Sequence, residues 1–205
     1  MSEPVFTSPL AAVKMPAPDS LSVALVELVD IGMIDLRGNA GDPAFEGAIR
    51  KTLGLDLPTI PRSSTSRDQV TLLWLSPDQW LALVPRSEAP AMTSALKREL
   101  AGLHAMVCDV SDMRTIIRLA GPDVRQVLIK GTAIDVFSPE FAEGFIRRLS
   151  FAELAALVHV RSTEPWIVDL YVARSFAGYV WNWLVATAST GASLNLFGQQ
   201  EPPPV

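Results

Sequence analysis

A single cysteine, two histidines and a thin supply of charge set the first limits on this 205-residue chain. With Cys108 alone, no internal disulfide can form, which agrees with a reducing compartment. With His104 and His159 as the only imidazoles, a hydrolytic triad has almost no candidate base, and no paired Cys or His stands at metal-ligand spacing. Basic residues never run longer than Arg147-Arg148 and the net charge is −5, so the cationic footprint that nucleic acid requires is missing. No GxGxxG or GxxxxGK[ST] loop occurs, which removes the usual phosphate cradles. The first twenty residues hold Pro4, Pro9, Pro16 and Pro18 and no uninterrupted apolar stretch. They do not read as a secretory signal, and a cytoplasmic location is expected. Charge is absent from Ser175 to Gln200, but the apolar part, Phe176 to Ala188, is short of the roughly 20 residues a spanning helix needs.

Charged residues are only 19% of the chain against 49% hydrophobic, below the usual quarter. Two readings follow: a large core, or a surface partly covered by another protein.

The chain repeats a pattern. Residues 24–38 and 107–121 each read as a strand, a polar turn and an alternating strand closed by glycine, Gly38 or Gly121. A helix start follows each: Asp42-Pro43 as cap and first helical residue, then Phe45, Ala48, Ile49, Thr52 and Leu53 at helical spacing. Pro122 has the same part in the second half, with Val124, Val127 and Leu128 inward and Gly131 closing the helix. Hairpins follow over 72–84 and 156–172, each entering its second strand on a tryptophan, Trp80 or Trp166. Helices over about 88–103 and 174–188 end the halves. The expected fold is α+β: two halves of order strand-helix-strand-strand-helix, about 21–104 and 105–190, forming a single domain over 21–190. Residues 1–20 and 191–205 are expected to be terminal arms that order only against something else.

Candidate chemistry reduces to a few residues, each with a plain structural alternative. Asp109 and Asp112 flank a turn and could form an acid–base pair, although Asp and Ser in turns usually bond their own backbone. Cys108, within a strand, fits a buried small apolar residue better than a nucleophile. His159 alternates within a strand, and His104 follows a helix end, where it favours the terminal carbonyls. Gly38-Asn39-Ala40-Gly41 has the GxxG form of a nucleic-acid clamp, but between a strand and a helix, without basic flanks beyond Arg37, it reads as a tight turn. No catalytic, cofactor-binding or metal-binding residue is assigned to this chain, which points to a helper protein.

Several segments together resemble the gamma subunit family of heterotetrameric sarcosine oxidase. They are Asp109-Val110-Ser111-Asp112, Thr115 to Pro122, Lys130-Gly131-Thr132-Ala133-Ile134-Asp135 and Val172 to Trp181. Ser8-Pro9-Leu10 and Trp74 to Trp80 agree as well. The resemblance implies a fold similar to the folate-binding aminomethyltransferases. It also implies a non-catalytic role in a four-subunit flavoenzyme that oxidises sarcosine to glycine, hydrogen peroxide and formaldehyde or methylenetetrahydrofolate. By the same resemblance, FAD, FMN, NAD and zinc belong to the other subunits. The partners are the alpha, beta and delta subunits, chiefly the large alpha subunit. The alternative is a standalone folate-binding or small-molecule-binding module. Against the iron–sulfur maturation relatives, Lys130-Gly131 is followed by Thr132, so their Lys-Gly-Cys-x-x-Gly-Gln-Glu motif is absent.

A helical projection stepped from Phe176 places Phe176, Val180, Trp183, Leu184 and Thr187 on a core stripe. The opposite face then carries Gly178, Trp181, Asn182 and Val185 where a soluble helix would show Lys or Glu. Trp181 and Val185 are accordingly expected to contact another subunit.

Overall fold

A computed structural model of the chain describes residues 6–17 and 20–192. Its elements run β1 (Ala24–Leu28), β2 (Ile31–Arg37), α1 (Pro43–Leu53), β3 (Ser64–Arg67), β4 (Val70–Ser76), β5 (Gln79–Pro85) and α2 (Ala89–Glu99). They continue β6 (Met106–Asp109), β7 (Arg114–Ala120), α3 (Val124–Leu128), β8 (Ile146–Phe151), β9 (Leu154–Thr163), β10 (Trp166–Ala173) and α4 (Ala177–Thr187). Local chemistry sets several boundaries. The Asp42 carboxylate accepts from the Ala44 N–H at 2.9 Å, Pro43 opens α1, and Gly54 closes it in the left-handed region at φ 71°.

Two antiparallel five-stranded sheets form, ordered β1-β7-β10-β9-β8 and β3-β4-β5-β2-β6. Edge strand β1 pairs with β7, and edge strand β6 pairs with β2. The sequence reading had no strand at β3 or β8. Ser64-Thr65-Ser66-Arg67 offers no apolar alternation, because it is an edge strand.

Period-two alternation divides the sheets' side chains between three cores. Ile34, Leu36, Leu72, Trp80 and Val84 pack outward against Phe45, Ile49 and Leu96 of α1 and α2. Ile117, Leu119, Val160 and Leu170 pack outward against Val124 and Val127 of α3 and Val180, Trp181 and Leu184 of α4. Met33, Leu73, Leu81 and Leu83 of one sheet meet Ile116, Ile146, Leu157 and Tyr171 of the other. The layers are therefore helix, sheet, sheet, helix. Burying both faces of both sheets absorbs much of the hydrophobic excess.

Trp80 and Trp166 lie on β5 and β10 but not at matching positions, which corrects the expectation. Two residues before Gly38, Leu36 pairs with Trp80, and two residues before Gly121, Leu119 pairs with Val168. The β9–β10 hairpin runs further than β4–β5, with a bulge at Arg161, and Trp166 sits on that extension. Trp80 is fully buried and donates Nε1–H to the Pro58 carbonyl at 2.8 Å. Trp166 is half-buried, stacked on Phe141 and beneath the Arg125 guanidinium.

Two further expectations change. Gly131 does not close α3 in a left-handed conformation; a Cβ there would stand 2.7–2.9 Å from the Phe151 and Trp183 rings, so close packing requires the glycine. Of the expected arm 1–20, residues 1–5, 18 and 19 lie outside the described residues; in the rest, Leu10 enters the chain's own core, the Ser8 hydroxyl donates to Glu27, and Arg86 lies over the Phe6 ring. The expected tail, 191–205, lies outside the described residues except for Gly191 and Ala192.

Candidate functional site between the two sheets

The inner layer is apolar at its centre and charged at one end. Alternation puts Ile116 and Arg118 of β7 on the same face as Asp169 and Tyr171 of β10, and register places Asp169 between Arg118 and His159. Asp169 is 3% exposed. Arg118 holds it by a two-pronged contact, Nε to Oδ1 at 2.7 Å and Nη2 to Oδ2 at 2.8 Å, a geometry that suits a buried carboxylate. That bond to Asp169 raises the Arg118 pKa, against the opposing effect of burial. Arg161 stands 4.0 Å from the same carboxylate and donates Nη1–H to the Thr71 hydroxyl of the facing sheet at 3.3 Å. Arg118 thus occupies the carboxylate, with the Arg161 guanidinium close by.

Their field acts on two buried neighbours. His159, 1% exposed, has its pKa lowered to about 3 by burial, with Arg161 and Arg118 adding to the effect, so the ring is neutral. Its Nε2 lies 3.0 Å from the Ser64 hydroxyl, which also reaches the Gly144 carbonyl at 3.1 Å. The Tyr171 hydroxyl is buried with no hydrogen-bond partner among the described residues. Burial first, then the Asp169 charge, raises its pKa well above the usual phenol value, so the proton stays on. Arg118, Arg161, Asp169 and Tyr171 line a cleft of about 480 Å³ whose lining also includes Leu83, Ile116, Asp30 and Asp68.

None of these residues was singled out as a site from sequence, apart from His159. The signal was present as Arg118 and Asp169, charges inside otherwise apolar strands, but only pairing β7 with β10 makes them partners. The residues that were singled out are dispersed. The Asp109 carboxylate accepts from the Ser111 N–H and hydroxyl, Asp112 pairs with Arg86, and the two make turn and surface contacts. Cys108 is exposed, not buried, because β6 is an edge strand of its sheet. His104 is exposed beside the Gly38–Gly41 turn, where Asn39 Oδ1 accepts from the Gly41 N–H at 2.9 Å and the Phe45 ring occupies the space a Cβ on Gly38 would need. Among the described residues, no group of three or more His, Cys, Asp or Glu could hold a metal ion, and no helix is long and apolar enough to cross a membrane.

Residues 37–190 match the sarcosine oxidase gamma subunit family. The chain belongs to that family. It is 25% identical over 173 residues to the sarcosine oxidase subunit gamma of Corynebacterium sp. (strain P-1), covering 84% of this chain and 83% of the relative. To the corresponding Arthrobacter sp. subunit it is 27% identical over 164 residues, covering 80% and 77%. Its fold is similar to a chain of heterotetrameric sarcosine oxidase from Corynebacterium sp. U-96, with a TM-score of 0.78 at 24% identity over 92% of this chain and 97% of that one. It is also similar to part of aminomethyltransferase T of the glycine cleavage system from Bartonella henselae, with a TM-score of 0.61 at 14% identity over 80% and 46%.

Within this gamma-family chain, two of the resembling segments serve the second helix layer. Lys130 donates from Nζ to the Thr187 carbonyl at 2.5 Å and to the Ala192 carbonyl, satisfying the end of α4. Trp181 corrects the helical projection. It is fully buried in the core under β7 and β10, while Val185 is half-buried against that core. Arg174–Phe176 form a 3-10 turn and Phe176 is the cap, so the α-helical phase begins at Ala177. Counted from there, Ala177, Val180, Trp181, Leu184 and Ala188 form the inward stripe. The outward side carries Tyr179, Asn182 and Ala186, and Phe176 is exposed beside it.

Proposed function

We propose that this chain is the non-catalytic gamma-type subunit of a heterotetrameric sarcosine oxidase, built from two related halves, whose role is to bind the large alpha subunit and support assembly. In this reading the parent complex demethylates sarcosine oxidatively to glycine, hydrogen peroxide and formaldehyde or methylenetetrahydrofolate. FAD, FMN, NAD and zinc sit in the alpha, beta and delta subunits. The observation that carries the reading is the family match across residues 37–190. The duplicated halves gain support from the sheet orders: β1-β7-β10-β9-β8 maps strand for strand onto β6-β2-β5-β4-β3, with each half's first strand lent to the other's sheet.

A partner contact on the outer side of α4 is supported by chemistry. Phe176 and Tyr179 are 47% and 51% exposed, and α4 carries no charged residue. Large exposed aromatic side chains on and beside a helix without charge suit a protein interface better than water. With Trp181 assigned to the core, the proposed contact residues become Phe176, Tyr179 and Val185. The test is purification of the chain from its native host, with mass spectrometry of what accompanies it. Three further subunits, one of them a flavoprotein, are expected. A chain that elutes alone at monomer mass overturns the reading.

A further inference from the structure

The cleft between the sheets is lined by a tyrosine whose hydroxyl has no hydrogen-bond partner among the described residues. Buried polar groups in folded proteins are almost always satisfied, and an orphan lining a cavity is a position where a ligand atom completes the set. Tyr171 is 1% exposed, its hydroxyl has no partner among the described residues, and the residue lines the cleft. It stays protonated and can donate. Beside it, the Asp169 carboxylate is already taken by both prongs of Arg118. Arg161, with its five N–H donors, makes one hydrogen bond among the described residues, to Thr71, and reaches Asp169 only at 4.0 Å. The inner part of the cleft therefore carries an excess positive charge and unused donors, next to the apolar Leu83 and Ile116.

The rim has the opposite sign. Asp30 and Asp68 are exposed, line the same cleft, and have no cationic partner among the described residues. Arg86, also at the rim, is occupied by Asp112 and by the Phe6 ring. A phosphate or dicarboxylate entering here would meet the two rim carboxylates, and a simple amine would meet the inner arginines. A molecule with one carboxylate and one cationic nitrogen satisfies both ends, and a volume of about 480 Å³ accepts it.

We propose that this cleft binds a small amino-carboxylate, its carboxylate held by Arg161 and the Tyr171 hydroxyl and its cationic amine directed to Asp30 and Asp68. Binding forms no covalent bond, and the site is a recognition site. It goes beyond the assembly role and does not depend on it.

The test is calorimetric titration of the full chain, and of any assembly that co-purifies with it, with glycine, acetate and methylamine. Glycine should saturate the site, acetate should bind about tenfold more weakly, and methylamine should not saturate it. Tyr171→Phe should weaken glycine about tenfold while leaving Tm unchanged or higher, since the hydroxyl has no partner to lose inside the protein. The double variant D30N/D68N should bring glycine down to the affinity of acetate without altering acetate itself. The proposal is overturned if glycine does not saturate either preparation. It also fails if Tyr171→Phe binds as the parent does, or if that variant lowers Tm as a lost internal hydrogen bond would. A chain that purifies alone yet saturates with glycine would sink the assembly role and uphold the site.

Discussion

Helices α1 and α4 each run eleven residues and each cover one sheet, but their outward sides differ in kind. On α1, Glu46, Arg50 and Lys51 carry charge, and Lys51 reaches Glu99 of α2 at 2.7 Å. On α4, Tyr179, Asn182 and Ala186 stand in the same relation to solvent, and the terminal carbonyls are served by Lys130 from α3's end. The inward sides are alike: each buries one apolar stripe, Phe45, Ala48, Ile49 and Leu53 on α1 and Ala177, Val180, Trp181 and Leu184 on α4. Two helices under the same packing demand have therefore met different outside environments, water for α1 and, in our reading, a protein surface for α4.

The strongest way to break that comparison is Trp181. Because it fills the core under α4, Trp181→Ala should cost the free chain about 3–5 kcal/mol, read as a lower Tm. Tyr179→Ala should leave Tm nearly unchanged and weaken co-elution with the large subunit by roughly 2 kcal/mol or more. If Tyr179→Ala assembles as tightly as the parent, α4's outer side is not the contact.

Acid sharpens the contrast between the two ends of the inner layer. His159 is neutral when folded, with its pKa lowered from 6.5 to about 3, so the unfolded chain binds a proton that the folded chain does not. Its contribution to stability is complete above pH 6.5 and is lost as pH falls toward 3, at about 1.4 kcal/mol per pH unit. His159→Gln should flatten the dependence of Tm on pH in that window. An equally steep slope in the variant would place the acid sensitivity elsewhere.

Two glycines test the helix layers at smaller amplitude. Gly131→Ala drives a methyl into Phe151 and Trp183 and should destabilise by about 1–3 kcal/mol on denaturant titration. Gly47→Ala, on the exposed side of α1 with nothing within 4 Å of the new Cβ, should stabilise by about 0.5–1 kcal/mol. A destabilising Gly47→Ala would mean that α1's outer side is also occupied.

Much of the local structure could be read from residue order. Asp42-Pro43 announces α1, Leu72 to Val84 announces the β4–β5 hairpin, and Val124, Val127 and Leu128 face inward as their spacing requires. The failures share a cause. The inward stripe of α4 was centred on Phe176, which is an exposed cap at the end of a 3-10 turn, and that choice of centre left Trp181 outside the stripe. Matching Trp80 to Trp166 by their place after a turn ignored the longer second hairpin, which only register reveals.

The amino-acid order alone determined where helices cap, which strand faces are apolar and which family the chain resembles, since caps, alternation and motifs act between residues near in sequence. The tertiary structure decided that β1 leaves its neighbours for β7 and that β6 joins β2. It also decided that Arg118, Arg161, Asp169 and Tyr171 share one cleft. Those pairings join residues far apart in the chain, and their free energy comes from burying both sheets against each other. That burial exists only once the whole fold has closed.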